Sequence, residues 1–371
     1  MKPVLHRRHL LLLGLAAIGL AGCRRAPEQV RIGFIGGLSG SVAELGVNGR
    51  NGALLAVETL NSQNGARHFE LRVEDDQQDD NKARAALQAL AAQQVAFVVG
   101  PMTSSVAVAV LPLAEKEKLV LISPTATTDE LSGKADHFFR VAAGAAIGAR
   151  QLAELMLSRS QRRVAVLMDR RNRAYSESFA HSFGERLRGG GATLTTEQGF
   201  DGSSNDFTAL AGALLADKPQ AVLMVAGVGD SALASQQLRR LQPDIGLAVT
   251  PWAANTRLLQ LGGHAVEGCL ALQALDLESS VPTYMAFRQR YHERFGEDPG
   301  TPAVQSYEAV MVGAAALAQQ AQGQSLRQAL SEPGRHWPGL YSDIVLDANG
   351  DTERPLHVTE VRAGRFIALR S

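Results

Sequence analysis

Two cysteines in a chain of 371 residues leave little scope for covalent cross-linking. Cys23 sits at the end of an N-terminal apolar stretch, so Cys269 stands alone. No intramolecular disulfide is expected, and the fold must rest on its hydrophobic core. Aromatic residues make up 5% of the chain, which argues against stacked bases or a broad aromatic sugar platform. Neither sign of charge dominates. The 37 basic residues balance 37 acidic ones, and setting aside Lys2, Arg7 and Arg8 leaves 34 against 37, a net of −3 that suggests no nucleic-acid partner. The apolar run "LLLLGLAAIGL" (10–20) is too short to span a bilayer with its flanks.

Catalytic signatures are also missing. "GLSGS" (37–41) is not the G-x-S-x-G elbow. "GFIGG" (33–37) lacks the dinucleotide order G-x-G-x-x-G, and the nine histidines form no H-E-x-x-H. "EDDQQDDN" (74–81) has neither the bend glycine nor the closing Glu of a calcium loop and reads as a solvated loop. A hydrolase built on Ser104 or Ser39 would need a base, and none is apparent. No enzyme activity, catalytic residue, metal or cofactor is expected.

What is present begins with a leader. Lys2, Arg7 and Arg8 followed by the 10–20 apolar core read as a secretory signal over residues 1–22. It ends in "LAGC" (20–23), which resembles the bacterial lipobox and implies Cys23 as the lipid acceptor and first mature residue. The other reading is a leader cut at "AGC" that leaves a free thiol. "HRRHLLLL" (6–13) resembles a twin-arginine signal, so Sec and Tat export both stay open. Arg24, where lipoproteins kept in the inner membrane usually carry Asp, favours the outer membrane. The expected location is the periplasm, lipid-anchored to membrane.

Beyond the leader, near-continuous apolar runs alternate with helical segments. "VRIGFIG" (30–36), "FELRVEDD" (69–76), "VAFVVG" (95–100) and "LVLIS" (119–123) predict one strand series. "RRVAVLMD" (162–169), "ATLTTEQ" (192–198), "AVLMVAG" (221–227), "LAVT" (247–250) and "EGCLALQ" (267–273) predict a second. Such strands imply parallel sheets covered on both faces. The expected fold class is α/β with two lobes: 30–143 plus 276–338, and 144–275 plus 339–371, behind a linker over 23–29. "DANGD" (347–351) predicts a tight hairpin turn before a terminal strand pair over 355–369.

In open parallel sheets, ligands sit beyond the carboxyl ends of the strands. The loops "GGLSGSVAELG" (36–46), "GPMTSS" (100–105) and "SPTATT" (123–128) should therefore share one edge, facing "DRRNRAYSES" (169–178), "GVGDSA" (227–232) and "PWAANT" (251–256) across a cleft. Ser104 and Ser105 precede one helix; Thr127 and Thr128 precede the helix-like "DELSG". Hydroxyls there either cap the helices or, with the free amides of a helix start, receive a ligand anion. Tyr175 and Trp252 are either walls for an apolar ligand or interlobe packing.

These residues, taken together, resemble the substrate-binding lipoproteins of ABC importers, the branched-chain amino acid type. The resemblance rests on 30–61, on "VEDDQQDDNKARA" (73–85), on 98–131 and on "YHERFGEDPGTPAVQSYEAV" (291–310). It implies a periplasmic-binding-protein (Venus-flytrap) fold with a three-strand hinge. It implies that Ser104 and the Ala126–Thr127 pair hold a ligand's carboxylate and amino groups, with Tyr175 closing over it. Trp252 stands near where amino acid binders of this type carry an acid, Ala145 or Ala146 where an Asp is frequent, and Thr103 and Gln78 where the family's disulfide would lie. Glu44, Asp230 and Glu308 remain as substitutes for an ammonium partner. Leu45, Val228 and Trp252 suit an apolar or aromatic carboxylate. The expectation is a binding protein, monomeric, that delivers a small carboxylate-bearing ligand (an amino acid, a related amide or an aromatic acid) to an ABC permease of the inner membrane. The alternative is a regulator or sensor acting through protein contacts, without transport.

Overall fold

The computed structural model describes residues 27–63, 65–202, 206–276 and 279–369; the leader and Cys23 lie outside them. The first sheet has the order β2-β1-β3-β4-β5, all parallel. Its strands are β1 (Glu28–Gly36), β2 (Arg67–Asp75), β3 (Phe97–Val99), β4 (Leu121–Ser123) and β5 (Phe138–Arg140). Ile32, Phe34, Phe97, Val98 and Ile122 show no exposed surface, because helices cover both faces. The helices of this half are α1 (Ala43–Ser62), α2 (Asp80–Ala92), α3 (Ser104–Glu117), α9 (Pro282–Phe295), α10 (Thr301–Ala318) and α11 (Leu326–Leu330), with α9 packed on α1 and α10.

The second sheet runs β14-β13-β10-β9-β8-β6-β7. Strands β6 (Arg163–Asp169), β7 (Thr193–Phe200), β8 (Ala221–Val225), β9 (Gly246–Val249) and β10 (Leu270–Gln273) are parallel. The terminal β13 (His357–Arg362) and β14 (Arg365–Ala368) are antiparallel. Helices α4 (Ala145–Ser158), α5 (Arg173–Gly189), α6 (Phe207–Leu215), α7 (Val228–Leu241) and α8 (Thr256–Gly262) belong to this half. "AVLMV" is buried at every position of β8, which is why it shows no alternation.

The chain crosses between the sheets after β5, after β10 and before β13. The third crossing lies later than the sequence suggests. Ribbon strands β11 (His336–Trp337) and β12 (Ile344–Val345) pair with each other, and Ile344 and Leu346 pack into the core of the first sheet. Residues 339–346, assigned above to the second lobe, therefore lie with the first. The hairpin turn is displaced too. "DANGD" folds into a turn in which the Asp347 carboxylate accepts from the Asn349 and Asp351 N–H groups, but no strand pair flanks it. The terminal hairpin closes at Ala363 and Gly364, both at positive φ (50° and 69°), as a two-residue turn of the primed type requires.

The acidic stretch is not simply solvated. Asp79 caps α2 by accepting from the Asn81 and Lys82 N–H groups. The Asp75 carboxylate accepts from Leu38 N–H, Ser39 Oγ and Gln77 N–H, fixing the loop after β1. Asp76 is 2% exposed, with one carboxylate oxygen on Gln78 N–H and the other without a partner. Burial pushes its pKa up to about 6; the Gln78 N–H opposes this and the Asp75 charge adds to it. An acid raised in the folded state binds its proton more tightly there than in the unfolded chain, where it titrates near 4. Its favourable contribution is thus present below pH ~4 and lost as pH rises through 6. Asp76→Asn should unfold at higher urea than the parent at pH 8, by roughly 1–2 kcal/mol, and match it at pH 4. Equal stability at pH 8 would count against a charged, buried Asp76.

Candidate functional site

Each sheet has one point where the strand order reverses: between β1 and β3 in the first, between β6 and β8 in the second. Ligands of open parallel sheets bind outside the carboxyl ends at such points. Leu45 follows β1, Ser104 follows β3, Tyr175 follows β6 and Val228 follows β8. Ser105, Ala126, Thr127 and Trp252 stand on neighbouring loops or helix starts of the same edges.

Ser104 is 1% exposed and lies in the first turn of α3, whose N-cap is Thr103. It caps nothing. Its Oγ reaches across to accept from Thr127 N–H (3.1 Å) and Thr128 N–H (3.2 Å). A hydroxyl has two acceptor lone pairs and one proton. Both lone pairs are taken, and no acceptor for the proton is found among the described residues. The Thr127 hydroxyl, partly exposed, makes no hydrogen bond with another described residue. Its carbonyl accepts from Ala145 N–H at the first crossing. Thr103 Oγ1 is buried and without a partner. The first turn of α3 contains no acid, so the positive end of its dipole is uncompensated.

Ser105 has another task. Its N–H donates to Asn172 Oδ1 (3.1 Å) and its Oγ accepts from Ala174 N–H (3.1 Å), which joins the two halves. Ala126 is fully buried in the core of the first sheet, with its N–H held by Ser123 Oγ. On the second half, Tyr175 is 7% exposed and meets Trp252 edge-on, with ring centroids 5.9 Å apart at 82°. Burial raises the Tyr175 phenol above its ordinary pKa, against a smaller opposing pull from Thr250. The Trp252 indole lies over Gly227, where an added Cβ would stand 3.6 Å from it. Val228 packs on the second core and Leu45 on the first.

Sequence reasoning missed the clasp between the halves. Asp129 N–H donates to Ser178 Oγ (3.0 Å), and the Asp129 carboxylate accepts from Ser178 Oγ (2.8 Å), Ser182 Oγ (3.3 Å) and Ala146 N–H (3.3 Å). Gln78 Nε2 donates to the Arg171 carbonyl (3.3 Å). No local pattern marks these pairs, because each joins segments far apart in the chain.

Each acid named as an ammonium partner already faces an arginine. Glu44 pairs with Arg257 (3.5 Å), Asp230 with Arg171, and Glu308 with Arg354. Arg171 also grips Asp169 through Nε and Nη2 (2.8 and 2.6 Å), and these carboxylates hold its pKa above the ordinary value. Among the described residues no group of three or more His, Cys, Asp or Glu side chains forms a metal site. Cys269 is buried, and burial pushes its thiol up to about 12.

Comparison with known proteins fits this geometry. The chain is 24% identical over 355 residues to the Leu/Ile/Val-binding protein BraC3 of Rhizobium johnstonii, covering 94% of this chain and 96% of that one. Its fold is similar to that of a leucine binding protein from Thermotoga maritima (TM-score 0.83, 22% identity, 92% of this chain and 98% of the other). It is also similar to a solute binding protein from R. palustris in complex with benzoate (TM-score 0.82, 18% identity, 92% and 95%). The two-lobed α/β architecture, with mainly parallel sheets flanked by helices, is the Venus-flytrap fold. The family description "Periplasmic binding protein" matches residues 29–365, and the chain belongs to that family.

Proposed function

We propose that this chain is an exported, lipid-anchored solute-binding protein of an ABC importer that traps a small carboxylate-bearing ligand between its lobes. Ser104 carries the reading: a buried hydroxyl with both lone pairs filled has only a proton to offer, and that proton suits an acceptor such as a carboxylate oxygen. Relatives support the class. One is named for leucine, isoleucine and valine and another holds benzoate, and these ligands share a carboxylate and an apolar body. Ligand contact with both edges would favour closure, which the permease then reads.

Thr127→Val tests the grip without disturbing the fold, since the Thr127 hydroxyl has no described protein partner. Calorimetry with benzoate and leucine should show at least a tenfold loss for whichever binds the parent; unchanged affinity would sink the site. Ser104→Ala is a poorer test, because it strips two buried N–H groups of their acceptor and costs roughly 1–3 kcal/mol of stability as well. The anchor is tested separately. Cys23→Ser should move the protein from the membrane to the soluble fraction, and persistence in the membrane would refute lipidation at Cys23.

A further inference from the structure

A carboxylate guest either carries an ammonium or lacks one, and the chemistry lining the two edges bears on which. An ammonium taken from water needs an acid facing it, because an unpaired buried charge is costly. Most acids on or beside the cleft segments already face a cation or hydrogen-bond donors of the protein. Glu44 faces Arg257, and Asp169 and Asp230 share Arg171. Glu308 is held by Arg354 and by Leu340 N–H. Asp129 is filled by Ser178, Ser182 and Ala146. Asp76, 2% exposed, keeps one carboxylate oxygen, Oδ2, buried without a partner.

Beside the internally paired Arg171, Asp169 and Asp230, the second half offers aromatic rings. Tyr175 and Trp252 meet edge to face, with the Trp252 indole laid over Gly227 and Val228 beginning the next helix. The first half offers donors without a full positive charge: the Ser104 proton, the Thr127 hydroxyl and an α3 start free of acids. Hydroxyls and amides at one end and an apolar wall at the other complement a single negative charge on an apolar body. We infer that the cleft selects an apolar or aromatic monocarboxylate without an ammonium group, with the Trp252 indole as the residue that determines specificity for its body. This rests on the carboxylate reading above and narrows it.

Matched ligand pairs test it on the mature protein by calorimetry. The pairs are 4-methylpentanoate against L-leucine and 3-phenylpropanoate against L-phenylalanine, with benzoate as a third acid. The expected result is that the acid lacking an ammonium binds at least tenfold more tightly than its amino acid partner, and that Trp252 fluorescence shifts on binding. Trp252→Ala should cost at least tenfold in affinity for 3-phenylpropanoate while circular dichroism stays that of the parent. An amino acid binding as tightly as its partner, with that affinity lost in Asp76→Asn, would overturn the inference, assign Asp76 to the ammonium and leave the carboxylate reading intact. The same preference unchanged in Asp76→Asn would also overturn it. If no carboxylate of either kind binds, both this inference and the carboxylate reading fall.

Discussion

Glu308→Gln should destabilise the protein by about 3–5 kcal/mol in urea unfolding, one of the two largest single-site effects expected. Glu308 is 1% exposed and Arg354 is 7% exposed. They share two contacts, Arg354 Nη1 to Oε2 (2.5 Å) and Nη2 to Oε1 (3.2 Å). Glutamine keeps a carbonyl oxygen for Leu340 N–H, so the loss isolates the charge. What remains is a charged guanidinium in the interior facing only neutral acceptors, the glutamine carbonyl oxygen and the Val141 carbonyl (3.3 Å), with no counter-charge. Removing that charge as well should recover much of the loss: Glu308→Gln with Arg354→Met should be more stable than Glu308→Gln alone. A cost under about 1 kcal/mol for the single change would mean that Arg354 reaches water, and the pair would not be a buried one.

The same pair bears on closure. Glu308 lies on α10, Val141 on the first crossing and Arg354 on the third. A second link, Arg140 to Asp351 (2.8 Å), joins the same two crossings. Both links hold the hinge strands to the first half. Across the cleft the halves meet through the Ser105, Asp129 and Gln78 hydrogen bonds and the partly exposed Glu44–Arg257 ion pair, contacts that exchange with water at modest cost when the second half moves as a body.

The strands were legible because buried parallel strands are written as continuous apolar runs, "AVLMV" being the plainest. The Ser104–Thr127 meeting was legible as two hydroxyl-rich loops leaving strand ends of one sheet, and the structure adds which hydroxyl accepts from which amide. Glu308 shows where legibility ends. As a sequence letter it is an acid available to a ligand, and only the fold brings Arg354 against it from 46 positions away. Ser105 and Asp76 have partners and burial that local spacing does not reveal, for the same reason. One is claimed by Asn172 and Ala174 from the other half, and the other is covered by the loop after β1. Local spacing reports helix starts and strand ends, whereas burial and partnership are set by segments distant in the chain.

Gly52→Ala is the second large effect, expected to cost about 3 kcal/mol by overpacking. Gly52 lies midway along α1, and a Cβ there would stand 2.0 Å from the Ala303 carbonyl oxygen and 2.7 Å from Ala303 Cα. These are backbone atoms of α10, fully buried at Ala303, so no side chain can swing aside; the two helices must part. Helix propensity alone would make the same change favourable by roughly 0.5–1 kcal/mol. That is the result expected at Gly212 and Gly229, helical glycines whose added Cβ meets nothing within 4 Å. The three substitutions thus separate close approach from propensity by the sign of their effect. The approach also matters for the site, because α1 begins at Ala43 and carries Glu44 and Leu45 at the cleft edge, with Glu44 paired to Arg257 of the other half. Parting α1 from α10 should displace that end and loosen closure, so Gly52→Ala should weaken binding of a carboxylate probe as well as stability. A midpoint within about 0.5 kcal/mol of the parent would show that the helices adjust freely, and the close packing of α1 on α10 would then have no role in placing the cleft edge.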